Sequence, residues 1–460
     1  MTITLLKQQL EQEKKTSVQL VEEALHVHEK ELDKNAMGVI SPYALLVAKE
    51  RDEERKKGII RGPLHGIPIV IKDNIMYRDG TPTTANSYAL HDFIPPFNAT
   101  IVNDLIDAGA IILGKANLSE WAYFMSYDNM PSGFGSMYGQ VKHPFDEKVD
   151  PYGSSTGSAV AVKLGIVSAA IGTETNGSLM APAYQCQIIS YKPTFGLVSK
   201  HGIIPISPTQ DTAGPMANTV LDCALLMNVI NHIDPHDSTT LKHEHRLFDL
   251  DQMKKPIHPS TIGFMMIKGH TYSEDEQSII MSAKRRCHAL GHMTIDIELE
   301  KAQLHNDPTL LVEFKYALNA FFQQVQGSTQ VKSLQDVIQF NQKHERRCLT
   351  YGQSILIASE NTSGDLNDPE YLKTRQSLLH EAQLLESIMK EQGLLALAAP
   401  VWLGFAPIYG NPSICIPEGV YQGQPKAMVF VGKIDDDEML LRFAHHYEQI
   451  QKEDHATLNP

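Results

Sequence analysis

Three short segments hold the residue types and spacings that could do chemistry. The first is Gly66-Ile67-Pro68-Ile69-Val70-Ile71-Lys72-Asp73-Asn74, which sets a lysine at the end of an apolar run. A lysine at the end of a buried strand loses water, which disfavours the ammonium form and lowers its pKa. The neutral amine could then act as a general base near neutral pH. The plain alternative is a strand-end lysine paired with Asp73. The second segment is Tyr152-Gly153-Ser154-Ser155-Thr156-Gly157-Ser158. Glycine and serine clustered at a helix start bring backbone N–H groups and hydroxyls close together. This reads as a Ser-rich N-cap, or as a phosphate loop without the lysine of a Walker motif. It also fits the G-x-S-x-G elbow through Gly153, Ser155 and Gly157, but that elbow needs a strand directly before it. The preceding PFDEKVDPY carries two prolines and four charges. A buried central strand does not form there, which removes the elbow. The third segment, Gly172-Thr173-Glu174-Thr175-Asn176-Gly177-Ser178, follows the strand-like SAAIG. A loop of this composition can turn successive N–H groups onto an oxyanion. Taken alone it is also an ordinary polar turn.

The elements that must position these residues are legible from periodicity. Residues 1 to about 60 read as helices, with a capping box at Thr16 and Gln19 and a second helix over 44–57. Between 62 and 217 the pattern alternates. GIPIVI is a strand, and ATIVNDLIDAGAIILGKAN is helix, turn, strand and loop. GSAVAVKLG is a helix of small residues, and SAAIGTE is the next strand. This alternation predicts an α/β fold with a covered sheet. Residues 231 to about 262 are polar and loop-like. STIGFMMI is a strand, Ser273 and Glu276 cap a helix reaching Leu290, and MTIDIEL alternates as a half-buried strand. Residues 300–395 read as amphipathic helices, followed by strands SICIP and AMVFVG and a helix over DEMLLRFAHHYEQIQ. There is no internal repeat and no low-complexity linker. Strands on both sides of the middle section fit one sheet, so a single domain over 1–460 is expected.

Taken together, the three segments resemble the amidase signature family. The pattern is a Gly-Ile-Pro strand ending in Lys-Asp-Asn, a Gly-Ser-Ser-x-Gly-Ser helix start, and a Gly-Ser loop, with Ser154 and Ser178 24 positions apart. Further matches are Gly114-Lys115-Ala116-Asn117, Lys192-Pro193-Thr194-Phe195-Gly196, Asp211-Thr212-Ala213-Gly214-Pro215-Met216, Gly410-Asn411-Pro412 to Gly419, and Tyr447-Glu448-Gln449. The resemblance is weakest between about 300 and 395. It implies a mixed central sheet with helices on both faces, and hydrolysis of a carboxylic amide through an acyl-enzyme. It also implies the site roles. Ser178 would be the nucleophile, Ser154, held by a cis peptide bond, the proton relay, and Lys72 the base. Ser155 would orient this triad, and the N–H groups of Thr175, Asn176, Gly177 and Ser178 would form the oxyanion hole. No metal or other cofactor is implied.

The departures from the family pattern are specific. Tyr152 stands where most members have glycine, and Glu174, Asn176, Leu179 and Met180 replace the usual Asp-Thr-Gly-Gly-Ser-Ile-Arg residues. A backbone hole tolerates Asn176 if its φ is ordinary. Met180 in place of arginine reads as a change in the substrate's surroundings. The Thr-Glu-Thr-x-Gly-Ser form, with Asn117-Leu118-Ser119-Glu120-Trp121-Ala122, is similar to the branch with bacterial peptide amidases, which makes peptide C-terminal amides candidate substrates. Two rivals follow. One is the amidase-type subunit of a tRNA-dependent amidotransferase, and the other is a catalytically silent member acting as a binding protein.

Composition bounds the rest. The 460 residues are 42% apolar and 20% charged, a globular balance. A net charge of -14 argues against a nucleic-acid binder. Five scattered cysteines without a CxxC pair indicate reduced thiols and a cytoplasmic setting. The N-terminus lacks the apolar run of a signal peptide, and no stretch is apolar enough to span a bilayer. His232, His236, His243 and His245 are irregularly spaced and do not read as a zinc set. Lys115 reads as a structural partner at a strand end, and Trp121 and Tyr123 as core or pocket wall.

Overall fold

The computed structural model describes residues 1–245 and 247–458. Apolar runs from both sides of the polar 231–262 stretch meet in one mixed sheet of eleven strands among those residues. They are β1 (Met37–Ile40), β2 (Pro68–Lys72), β3 (Ile111–Ala116), β4 (Ala169–Glu174), β5 (Ile189–Lys192), β6 (Thr212–Ala217), β7 (Thr261–Ile267), β8 (Met293–Leu299), β9 (Leu394–Ala399), β10 (Ser413–Tyr421) and β11 (Gln424–Val431). Their order is β1-β3-β2-β4-β6-β5-β10-β11-β9-β7-β8. β3, β2 and β4 run parallel, as do β9, β7 and β8, and the strands between them pair antiparallel.

Helices cover both faces. Ile69 and Ile71 of β2 join Ile112, Ala169 and Ile171 in one core with the helices Thr100–Asp107 and Val220–Ile230. Val70 points the other way, into a second core with Leu113, Ala170 and the helices Ser17–Lys30, Ala44–Lys56, Thr156–Lys163 and Met180–Cys186. Alternation with period two sends neighbouring residues to opposite faces. With both faces covered, the strand reads as a continuous apolar run. Each fully buried isoleucine contributes roughly 1.5–3 kcal/mol of burial energy.

The expected caps are present. Thr16 with Gln19 and Ser273 with Glu276 each form a reciprocal capping box, and the second helix spans Glu274–Ala289. Three elements differ from expectation. β1 lies inside the stretch read as all helix. It is only four residues long, and its partner β3 holds it antiparallel. β6 carries Pro215 between β4 and β5, a position that sequence rules deny to proline in a central strand. β9, LLALAA, begins at the end of the stretch read as helical, and such a run has no periodicity to separate strand from helix. The five cysteines are buried and unpaired. No helix among the described residues is long and apolar enough to cross a membrane.

Candidate active site

β2 and β4 are adjacent and parallel, with Val70 opposite Ala170 and Ile71 opposite Ile171. Their C-terminal ends, Lys72 and Thr173-Glu174, therefore emerge side by side. The helix Thr156–Lys163 begins above them and brings in the two serines that precede it. Lys72 is fully buried. Its Nζ donates to Ser154 Oγ at 2.8 Å, Ser155 Oγ at 2.9 Å and Thr173 Oγ1 at 2.9 Å, with Thr173 O at 3.3 Å. Asn74 Nδ2 donates to the same Thr173 hydroxyl at 3.0 Å. Burial lowers the Lys72 pKa to about 7, against the opposing pull of the Asp211 and Glu174 carboxylates. Ser155 Oγ also donates to Thr173 O at 2.9 Å, which ties the helix start to β4. Gly172 lets it approach, since a Cβ there would meet Ser155 Oγ at 2.9 Å. The Gly153–Ser154 peptide is cis.

Asp73 does not pair with Lys72. Its Oδ2 accepts the Thr84 N–H at 3.1 Å and the Thr84 hydroxyl. Burial raises the Asp73 carboxyl to about 6, and Lys115 pulls it back down. Lys115 is itself buried at the end of β3, where its Nζ donates to Thr81 O, Pro82 O and Thr83 Oγ1 at 2.8–3.0 Å. It is a strand-end partner. The plain Lys72–Asp73 pair is thus absent. Ser155 is buried against Lys72 and Thr173, and no strand leads into it, so the elbow geometry is absent too.

Thr175 to Ser178 form the turn between β4 and the helix Met180–Cys186. Among the described residues, the backbone N–H groups of Asn176, Gly177 and Ser178 meet no protein acceptor. Asn176 has an ordinary φ, whereas Gly177 lies at +83°. A Cβ on Gly177 would also strike Trp402 Nε1 at 2.7 Å, so only glycine fits. Glu174 anchors the far end of the turn, its Oε2 accepting Leu179 N at 2.7 Å and Met180 N at 3.2 Å. Ser178 is 8% exposed and faces an open cavity of about 680 Å³. Its Oγ has no hydrogen-bond partner among the described residues. No hydrogen bond joins it to Ser154 Oγ in this structure.

The cavity walls are aromatic, with Tyr123, Tyr127, Tyr152 and Trp402 prominent. Tyr152 and Trp402 meet edge to face, with centroids 5.8 Å apart. Tyr152 has a φ of +54°, which explains glycine as the common residue there. A side chain in that region costs about 1–2 kcal/mol. Trp121, Ala122 and Tyr123 also have positive φ, turning Tyr123 to the cavity while Trp121 is buried in the core. One expectation is corrected. Met180 does not border the substrate space. It packs with Val160, Ala170, Cys415 and Val429 in the core under the helix Met180–Cys186. The four histidines go to different partners. His232 meets Asp104, His243 meets Asp435, His245 meets Asn231, and His236 stacks on His201. Sequence reasoning gave no role to Thr173, although it lies inside a quoted motif. Trp402 carried no sequence signal beyond being one of two tryptophans.

Comparison with known proteins covers nearly the whole chain. The family model for amidases matches residues 19–413. A probable amidase of Arabidopsis thaliana is 33% identical over 451 residues, covering 94% of this chain and 86% of that one. A glutamyl-tRNA(Gln) amidotransferase subunit from Chloroflexus aurantiacus is 31% identical, covering 88% of this chain and 87% of its own. Among solved structures, the native peptide amidase of Stenotrophomonas maltophilia superposes with a TM-score of 0.92 at 34% identity, over 98% of this chain and 97% of that one. Similarity that runs from end to end at this level makes the chain a member of the amidase signature family and an amide-hydrolysing enzyme.

Proposed function

We propose that the enzyme cleaves a carboxylic amide through an acyl-enzyme on Ser178, with Ser154 as relay, Lys72 as base and Ser155 orienting both. The observation that carries this reading is the dry lysine. Lys72 Nζ lies 2.8 Å from Ser154 Oγ with its pKa drawn down to about 7, and Ser178, whose hydroxyl has no partner among the described residues, lines the cavity. Neutral Lys72 takes the Ser154 proton as Ser154 takes the Ser178 proton. Ser178 Oγ bonds to the amide carbon. The N–H groups of the 175–178 turn receive the oxyanion, each worth roughly 10²–10³ in rate. When the C–N bond breaks, the nitrogen leaves with the proton returned from Lys72 through Ser154. Water then cleaves the ester by the reverse route and releases the acid. The relay needs a Ser154–Ser178 hydrogen bond, and such contacts commonly tighten only when substrate is bound. Neither a metal nor a cofactor takes part in these steps.

The substrate class we favour is a peptide C-terminal amide. The likeness to peptide amidase, at a TM-score of 0.92 over 98% of the chain, supports it, as does an aromatic cavity large enough for a side chain beside the scissile amide. The amidotransferase reading rests on relatives about 31% identical over 88% of the chain. The solved structure of one such protein, from Thermotoga maritima, superposes less closely, with a TM-score of 0.64 over 84% of the chain. A hydrolysis screen over primary amides, anilides, amidated peptides and glutamine separates the two readings. Ammonia released fastest from amidated peptides supports the first. Turnover of glutamine alone, with partner subunits copurifying from the native host, overturns it.

A further inference from the structure

Thr175, the first residue of the turn that carries Ser178, is held by side chains from beyond that turn. Thr175 Oγ1 donates to Asp211 Oδ1, and Thr175 O accepts Gln210 Nε2 at 3.0 Å. Asp211 Oδ2 accepts Ile206 N at 2.7 Å and Ser207 N at 2.8 Å, which closes a tight turn over 206–211. That turn is clamped in its own right. Ser207 Oγ and Thr209 Oγ1 both donate to Glu313, a fully buried carboxylate on the helix Asp307–Gln324. Tyr371 OH meets the same carboxylate at 2.7 Å, and Arg375 Nε lies 3.8 Å from it. Asn306, at the start of that helix, donates to Gln210 Oε1 at 3.3 Å. Two chains of polar contacts therefore run from the helix-rich section to Thr175.

We propose that Asp211 is a positioning residue for amide hydrolysis: it fixes Thr175, and with it the N–H groups of 176–178, while Glu313 holds the turn that carries Asp211. This gives the 300–395 section, where the family resemblance is weakest, a part in the chemistry. It rests on the assignment of 175–178 as the oxyanion turn. An alternative role for Asp211, as a mere closer of its own turn, leaves the Thr175 hydroxyl contact without consequence. The Thr175 hydroxyl gives the means to tell these apart, and the Asp211 charge supplies a second readout. Two carboxylates act on the Lys72 amine, Glu174 from β4 and Asp211 from the 206–211 turn, and both favour the ammonium. Asp73, next in sequence, faces Lys115.

The test compares Asp211→Asn, Thr175→Val and the double variant in kcat and in the pH dependence of kcat/KM. Both single variants lower kcat by roughly tenfold or more, since misplaced oxyanion donors lose much of their effect. Only Asp211→Asn also moves the rising limb to lower pH, because it removes an anion that favours the ammonium. The double variant is no worse than the poorer single one, as both remove one bond. Glu313→Gln lowers kcat and leaves the limb in place. Wild-type kcat in Asp211→Asn, additive losses in the double variant, or a limb that moves as far in Thr175→Val each overturn the proposal. If Asp211→Asn does not fold, Thr175→Val decides alone: a kcat within about twofold of wild type refutes it. Ser178→Ala run alongside separates the two levels. Turnover in Ser178→Ala sinks the acyl-enzyme reading itself, whereas an inactive Ser178→Ala with a normal Asp211→Asn sinks only this inference.

Discussion

If Lys72 works as a neutral base, its protonation sets the rate at low pH. With its pKa lowered to about 7, roughly one amine in ten is neutral at pH 6 and nine in ten at pH 8. The value of kcat/KM should rise roughly tenfold across that span and then level off while the protein stays folded. An unshifted lysine near 10.4 behaves differently, rising about a hundredfold over the same two units with no plateau. The cause of the shift is burial, which outweighs the two nearby carboxylates. The same shift acts on stability. Between about pH 7 and 10 the unfolded chain holds a proton that the folded chain lacks, so stability gains with rising pH. From pH 7 to 9 the wild type should gain about 2 kcal/mol relative to Lys72→Met. The assays are initial rates on one good substrate from pH 5.5 to 9.5, and urea denaturation at the two pH values. Lys72→Arg should be nearly as inactive as Lys72→Ala, because guanidinium keeps its proton throughout this range. Substantial activity in the arginine variant refutes the reasoning. So does a rising limb that stays in place in Lys72→Ala at only slightly reduced rate.

Gly177→Ala should lower kcat roughly a hundredfold, because its φ of +83° and the Trp402 ring both exclude a Cβ. Its Tm, followed by circular dichroism, should fall by only a few degrees, as the change is confined to one turn. Tyr152→Gly should relieve the positive φ and open the cavity wall. KM for substrates with an aromatic or large apolar side chain should then rise several-fold, with kcat within about threefold of wild type by steady-state kinetics. Dialysis against a strong chelator should leave the rate unchanged, since no step proposed here uses a metal; activity lost and then restored by zinc would overturn that scheme.

The long, continuous runs of the sequence were legible because burial on both faces leaves an unmistakable apolar strand, as in GIPIVI before Lys72. Capping boxes at Thr16 and Ser273 were legible because their chemistry is local. What escaped notice depended on distant partners. β1 exists because β3 offers it an edge, and Pro215 sits in a central strand because tertiary context overrides the rule against it. At the site, Lys72, Ser154 and Ser155 each had a plain local reading and were singled out only by the family resemblance of the combined motifs, and the structure brings both serine hydroxyls within 2.9 Å of the amine. Met180 could not be placed, since one residue along a short helix decides between cavity and core. Trp402 lies 224 positions beyond Ser178, and nothing local to it announces that it closes over Gly177.

The most direct test of the account is where a covalent label lands. A fluorophosphonate that inactivates the enzyme should attach to one serine, read by digestion and mass spectrometry. The account predicts stoichiometric label on Ser178, greatly slowed in Lys72→Ala and abolished in Ser178→Ala. Label on Ser155 or Ser154 in the active wild-type enzyme, with Ser178 unmodified, would contradict it.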